Sequence, residues 1–309
     1  TTARGPLVFW EAGVDPIYVV ELMLNGLLVG SLYAIIALGF VLIYKASDVI
    51  NFAQGEFVMF AGYVIAFFLL SMEFPLWAAA ILAVVVMVVV GYAVEWMVLR
   101  HLIGRPVVAV IMATIGLASF LQGFAQLLFG IETRNVPLPI GDDPIFIGDL
   151  LLNRIELIAA VVAAIGFAAI GWFFVKSRSG IALRAIADDQ QVSQAMGIDV
   201  RKYFALAWAI AGIVALVGGI FWGNATGVDV QLALIGLKVF PVVILGGLDS
   251  IIGCIIAGLV VGLVESVAAG FIDPLVGGGT KDLTPYVLMI LVLMIRPYGL
   301  FGKEIIERV

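Results

Sequence analysis

The chain has 309 residues, of which 63% are hydrophobic and only 12% charged, and its mean hydropathy is +1.20. A soluble domain needs about 25% charged residues to cover its surface, so this composition excludes one and points to an all-α polytopic membrane protein sheathed in lipid. The net charge of −6 comes with no basic patch that would suggest nucleic acid, and the single cysteine, Cys254, excludes an internal disulfide.

A crossing helix needs roughly 20 apolar residues. In chain order, the candidate spans are Ile17–Ile43, Val49–Leu70, Leu76–Leu99, Val107–Phe129, Ile155–Val175, Tyr203–Trp222, Ile235–Leu248, Ile251–Phe271 and Thr284–Ile295. This gives eight or nine crossings within one transmembrane domain, residues 1–309. The seventh is short and holds Lys238 and Pro241, so it reads as a broken helix. Residues 1–16 lack a basic stretch followed by an apolar one and do not read as a signal peptide.

Cations set the orientation. Lys45, Arg100, Arg105, Lys176, Arg178, Arg184, Arg201, Lys202, Arg296, Lys303 and Arg308 fall on one side, and Arg4, Arg134, Arg154 and Lys281 on the other. The cation-rich side is expected to be cytoplasmic. That places the amino terminus outside and the carboxyl terminus inside, which favours nine crossings. Residues 130–154, rich in Pro, Gly and Asp, then form an extracytoplasmic loop with turns.

Three polar interruptions break the apolar pattern. In the longest cytoplasmic loop, "RAIADDQQVSQAMGID" (184–199) suits a short helix from Ile181 to Met196, ended by Gly197 in a left-handed conformation. Ala185, Val192 and Met196 would share one face at spacings of seven and four. Asp188, Asp189, Gln190 and Gln191 would be available to another surface. On these residues alone, a solvated loop helix and a docking helix for a cytoplasmic partner are equally supported.

In "YKASDVINFAQGEFVMFAGY" (44–63), Asp48, Asn51, Gln54 and Glu56 cluster where a turn re-enters the membrane. Asn51 and Gly55 would share a helix face, and Gly55, Gly62 and Ala66 would form a stripe for close helix approach. Glu56, about two turns into the span, reads as a pathway group, a hydrogen-bonded structural carboxylate or a proton relay.

In "LKVFPVVILGGLDSIIGCIIAGLVVGLVES" (237–266), Pro241 removes a backbone hydrogen bond. Gly246 and Gly247 permit a tight break, and "LDS", with Asp249 and Ser250, reads as a turn before a Gly-rich helix carrying Glu265. The layout resembles that of residues 44–63, as in the paired broken helices of transporters, although close packing alone also produces Gly-rich spans.

No enzyme constellation appears. His101 is the only histidine, at a helix end beside Arg100, and no His or Cys pair has metal spacing. The chain has no phosphate-cradling G-x-x-x-x-G-K-[ST] and no G-x-S-x-G elbow.

Three segments together, Val49–Tyr63, Arg184–Gly212 and Leu237–Glu265, resemble the permeases of branched-chain amino-acid ABC transporters, and most closely the first of the two permease subunits. Ala113–Gly123 fits as well, and the likeness runs over residues 16–309. The resemblance implies an importer subunit in a bacterial inner membrane. Its partners would be a second permease in a heterodimer, two cytoplasmic ATPase subunits and a periplasmic binding protein. No cofactor would be bound by this chain, with ATP and Mg on the ATPase subunits.

The resemblance also gives residues Ala187–Gly197 as a cytoplasmic coupling helix. Asp188, Asp189 and Gln190 would make its polar contacts, and Ala185, Val192 and Met196 its apolar ones. It further places Asn51, Gln54, Gly55 and residues Gly246–Ser250 near the translocation path. Permeases for urea or short amides would look much the same. A reading from another class, an ion-coupled secondary transporter or channel, would use Glu56 and Glu265 as ion or proton sites.

Overall fold

The computed structural model describes residues 16–102, 105–141, 143–148 and 150–302. Arg4, Lys303 and Arg308, among the cations that set the expected orientation, lie outside the described residues. Most of the described chain is helical; the strands form one hairpin, Ile145–Ile147 antiparallel to Leu150–Leu152, with Phe146 opposite Leu151.

Helix α1 (Pro16–Ser47) is apolar all round, and every residue from Gly30 to Ile43 is buried. A helix with no polar face has to be enclosed by others. It is enclosed by α2 (Gln54–Ala66, continued by a π-helical turn over Phe67–Ser71), α8 (Val200–Thr226), α9 (Ile235–Gly246) and α10 (Ile251–Val276). Helices α3 (Leu76–Met97) and α4 (Val107–Phe129) stand further out, while α5 (Arg154–Lys176) packs one side against α1. Their outer faces are apolar: Trp77, Ile81, Val85 and Val89 on α3, and Val161, Ile165 and Trp172 on α5, are all exposed. In a chain this apolar, such faces are covered by lipid or by another membrane subunit.

Lipid offers no hydrophobic drive for helices to associate, so the contacts depend on close packing at small residues. Gly26 and Gly30 of α1 lie against Gly262 and Gly258 of α10, close enough that a Cβ on Gly26 would sit 2.8 Å from the Gly262 carbonyl oxygen. Gly91 of α3 and Gly212 of α8 make a second seam, and Gly219 of α8 lies on Val58 and Gly62 of α2.

Among the described residues, seven helices are long and apolar enough to cross a membrane: α1, α2 with its π-helical turn, α3, α4, α5, α8 and α10. The remaining two expected spans are shorter. Helix α9 has 12 residues, preceded by a 3-10 turn over Val230–Leu234, and α11 (Thr280–Ile295) has 16. At 1.5 Å per residue α9 is about 18 Å long, against a hydrocarbon core of about 30 Å. Pro241 does not break this helix; it sits buried inside it. The breaks fall instead at the 3-10 junction and at Gly247, whose φ is +100°.

Candidate functional site

The expected helix over 49–70 starts late. Helix α1 ends at Ser47, Asp48 takes a left-handed conformation (φ 53°), and residues 49–53 are not helical before α2 begins at Gln54. This segment runs back into the protein. Gln54 packs against Gly39, two turns before the end of α1, where a Cβ would collide with its side-chain amide. Asn51 therefore precedes α2 and shares no helix face with Gly55. Its side chain instead organises the turn: Oδ1 accepts from the Ala53 N–H at 3.1 Å, and Nδ2 donates to Gln54 Oε1 at 3.3 Å. Both residues are fully buried, and Gln54 Nε2 has no hydrogen-bond partner.

Gly55 touches Gly236 of α9 backbone to backbone, and a Cβ on Gly236 would lie 2.6 Å from the Gly55 Cα. Gly62, about two turns further, packs on Val228. Glu56 is part-buried in the first turn of α2. A carboxylate there faces the positive end of the helix dipole. The descent of residues 48–53 gives this turn its depth.

The loop helix expected over 181–196 is two helices. Helix α6 (Arg178–Asp188) and α7 (Gln190–Ala195) are separated at Asp189, which is extended (φ −158°). Its carboxylate accepts from the Val192 N–H at 2.9 Å and so caps α7. An aspartate that caps the next helix stops the previous one. Ala185 thus belongs to a different helix from Val192 and Met196, and the single apolar face is not formed. Gly197 does end the segment with φ +84°. Ala182, Leu183 and Ile186 anchor α6 in the body of the protein, while Val192 (58% exposed) and Met196 (78%) point away from it.

Gly246–Ser250 is a sealed turn. Gly246 lies against Gly253, and the Leu245 and Gly246 carbonyls accept from the N–H groups of Leu300 (2.8 Å) and Phe301 (3.2 Å). The carboxyl-terminal segment thereby satisfies the end of α9. Ser250 caps α10, accepting from the Gly253 N–H at 3.0 Å. Lys45 at the end of α1 donates to the Asp249 carbonyl at 3.2 Å.

Residues far apart in sequence line one cleft of about 490 Å³ here, among them Lys45, Asp48, Arg184, Asp188, Asp249 and Tyr298. The end of α1, the end of α6 and the 246–250 turn therefore meet at one end of the molecule. Partial desolvation against the cleft wall, and secondarily the charge of Asp249, push the carboxyl of the otherwise exposed Asp48 above the usual carboxylate range. A carboxyl shifted upward holds its proton more tightly in the fold, so its contribution to stability is present at low pH and lost as pH rises through the raised value. Asp48→Asn is expected to flatten that fall in a pH series of melting temperatures.

Lys238 lies toward the other end of the helices. Its ammonium is 3.0 Å from Glu265 Oε1 on α10 and 3.2 Å from Asp282 Oδ1 on α11, and 5.7 Å from the centre of the Tyr33 ring. The Tyr33 hydroxyl donates to the same Glu265 oxygen at 3.1 Å, and the Tyr33 ring stacks on Trp222 at 5.6 Å. Of these partners, Tyr33, Trp222 and Asp282 are not legible as site residues in the sequence; the only signal was the depth of Glu265.

Removing one partner of a buried ion pair costs about 3–5 kcal/mol, because the other charge stays buried and unpaired. Lys238→Met is therefore expected to destabilise strongly, and Lys238→Met with Glu265→Leu to recover much of the loss. Melting of the purified detergent-solubilised protein measures both; equal melting of the single and double variants would deny the pair that role.

The fold defines a multi-pass helical membrane protein. The family model described as "Branched-chain amino acid transport system / permease component" matches residues 22–295. BraD of Pseudomonas aeruginosa, a high-affinity branched-chain amino acid transport system permease protein, is 31% identical over 301 residues, 93% of this chain and 97% of its own. LivH of Escherichia coli K12, described in the same words, is 30% identical over 314 residues, 95% of this chain and 98% of its own. A solved chain of PsaBC from Streptococcus pneumoniae, in complex with Fab, aligns with a TM-score of 0.48 and 14% identity over 95% of this chain and 96% of its own. The chain belongs to the family of branched-chain amino acid transport permeases, which are membrane components and not enzymes.

Proposed function

We propose that this chain is a permease subunit of an ATP-driven importer that moves branched-chain amino acids into the cytoplasm across a bacterial inner membrane. The assembly pairs it with a second, non-identical permease, two ATPase subunits that hold ATP and Mg, and a periplasmic binding protein. The amino terminus is periplasmic and the carboxyl terminus cytoplasmic, following the cations at the Lys45 end of the helices.

The observation that carries this reading is the meeting of α6, to which α7 is joined at Asp189, with the end of α1 and the Gly246–Ser250 turn at one end of the bundle. A partner that moves α7 through Val192, Met196 and the polar residues Asp188–Gln190 also moves the ends of α1 and α10. Ala187 lies on the cleft that joins them, and Gly197 sets the exit angle into α8. The path runs past Lys238 and along the re-entrant segment. Asn51, Gln54, Gly55 and Glu56 become part of its wall when the Gly55–Gly236 contact separates. The Gly246, Gly247, Asp249 and Ser250 turn lies at its inner end.

Purification from native membranes through a tag on this chain tests the assembly. Two ATPase subunits and a second permease are expected to come with it, and a leucine-loaded binding protein is expected to stimulate hydrolysis in liposomes. A chain that purifies alone and moves solute down an ion gradient would replace this reading with a secondary transporter.

A further inference from the structure

The ion cluster at Lys238 borders an open cleft of about 500 Å³. Its polar lining includes Lys238, Asp282, Asp229 and Gln231, and its apolar lining includes Leu234, Leu237 and Trp222. The two carboxylates that hold Lys238 differ. The Glu265 side chain is 5% exposed, shares its bonded oxygen with the Tyr33 hydroxyl and is fixed within the helix bundle. The Asp282 side chain is 86% exposed and stands in the first turn of the short helix α11. An exposed ion pair is worth little because water and salt compete for both charges. A buried one, once formed, is costly to open. The Lys238–Asp282 contact is therefore the one that exchanges.

We propose that Lys238 is a carboxylate-reading latch: the carboxylate of an amino-acid solute replaces Asp282 at the Lys238 ammonium and frees the start of α11. This rests on the permease reading above and names the chemistry that the path selects. The exchange is one carboxylate for another, so Lys238 is never left without a counter-charge near the membrane interior, where an unpaired ion is costly. Glu265 and Tyr33 hold the ammonium in place throughout. An ammonium has three donors, and the two carboxylates occupy two of them, so the incoming group engages the third before Asp282 leaves. Leu234 and Leu237, each more than half exposed in the cleft, offer an aliphatic side chain an apolar wall. A neutral solute such as urea or an amide has no charge with which to displace Asp282.

The test uses the complete transporter purified through this chain and follows tryptophan fluorescence, with Trp222→Phe to identify the signal. Leucine and 4-methylpentanoate, which both carry the carboxylate, are expected to give a saturable change. Leucinamide, which lacks it, is expected to give none. Asp282→Asn removes the competing carboxylate from an exposed position and is expected to tighten leucine binding about two- to fivefold, the equivalent of one exposed ion pair. Lys238→Arg keeps the charge and is expected to keep the carboxylate preference.

Equal responses to leucine and leucinamide, or unchanged affinity in Asp282→Asn, would overturn the latch. Leucine import by the same preparation, fed by its binding protein, is read separately. If import proceeds while the latch signals fail, the permease reading stands alone; if wild type imports no leucine at all, that reading fails first.

Discussion

Replacing Asp188, Asp189 and Gln190 with lysine is expected to abolish leucine uptake by the assembled transporter while leaving the chain inserted in the membrane. Asp188 and Asp189 are exposed on the loop side of the bundle, beside the outward-pointing Val192 and Met196. Three charge reversals or additions on a docking surface remove its polar complementarity, and like charges facing each other cost several kcal/mol. Asp189 also caps α7, however, and losing an N-cap costs about 1 kcal/mol of helix stability.

Asp189→Ser separates the two contributions, because serine caps as well as aspartate but carries no charge. The coupling role predicts that the serine variant imports and the triple-lysine variant does not, with both inserted to the same level. Normal uptake by the triple variant would remove the coupling role from this segment.

Gly258→Val is expected to be the most disruptive single change in the helix packing. A Cβ at Gly258 would lie 2.7 Å from the Ala34 Cβ and 2.8 Å from the Ala34 backbone nitrogen, inside the seam between α1 and α10. Valine adds two further methyl groups. Overpacking costs about 1–3 kcal/mol where neighbours can shift, and the upper end or beyond is expected here, because backbone stands in the way. Gly123→Ala is the control. It lies within α4, a Cβ there meets nothing within 4 Å, and alanine in a helix interior is favoured over glycine by about 0.5–1 kcal/mol. A lower melting temperature for Gly258→Val and an unchanged or higher one for Gly123→Ala would establish the seam. Indistinguishable melting of the two variants would deny it.

The same glycines show how far the sequence could be read. The spacing of Gly258 and Gly262 announced a close-packing face, because a small-residue stripe has few other uses in a membrane helix. It did not announce that Gly26 and Gly30 are the facing residues, since nothing local to α10 selects a partner 230 or so positions away. The turn at 246–250 was legible from its glycines and its Asp–Ser pair. That the carboxyl-terminal segment seals it, through Leu300 and Phe301, was not.

No proline or glycine interrupts residues 181–196, so the sequence predicts one helix there. Asp189 ended α6 instead, by offering its carboxylate to the backbone of α7, a choice that depends on where α6 is anchored. Asn51 shows the same limit. A helical spacing to Gly55 is arithmetic, and the non-helical descent of residues 48–53 is accompanied by Gln54 fitting over Gly39.

The sequence by itself determined the class of the protein, the helix ends that glycine marks and the residues that are too polar for their surroundings. These follow from local quantities: the length of an apolar run, the conformational freedom of a glycine and the cost of a charge in hydrocarbon. Only the tertiary structure decided which polar residues meet. Lys238 finds Glu265, Tyr33 and Asp282 on three other helices because the packing of α1, α9, α10 and α11 brings them to one depth. That depth is a property of the assembled bundle, and no single helix contains it.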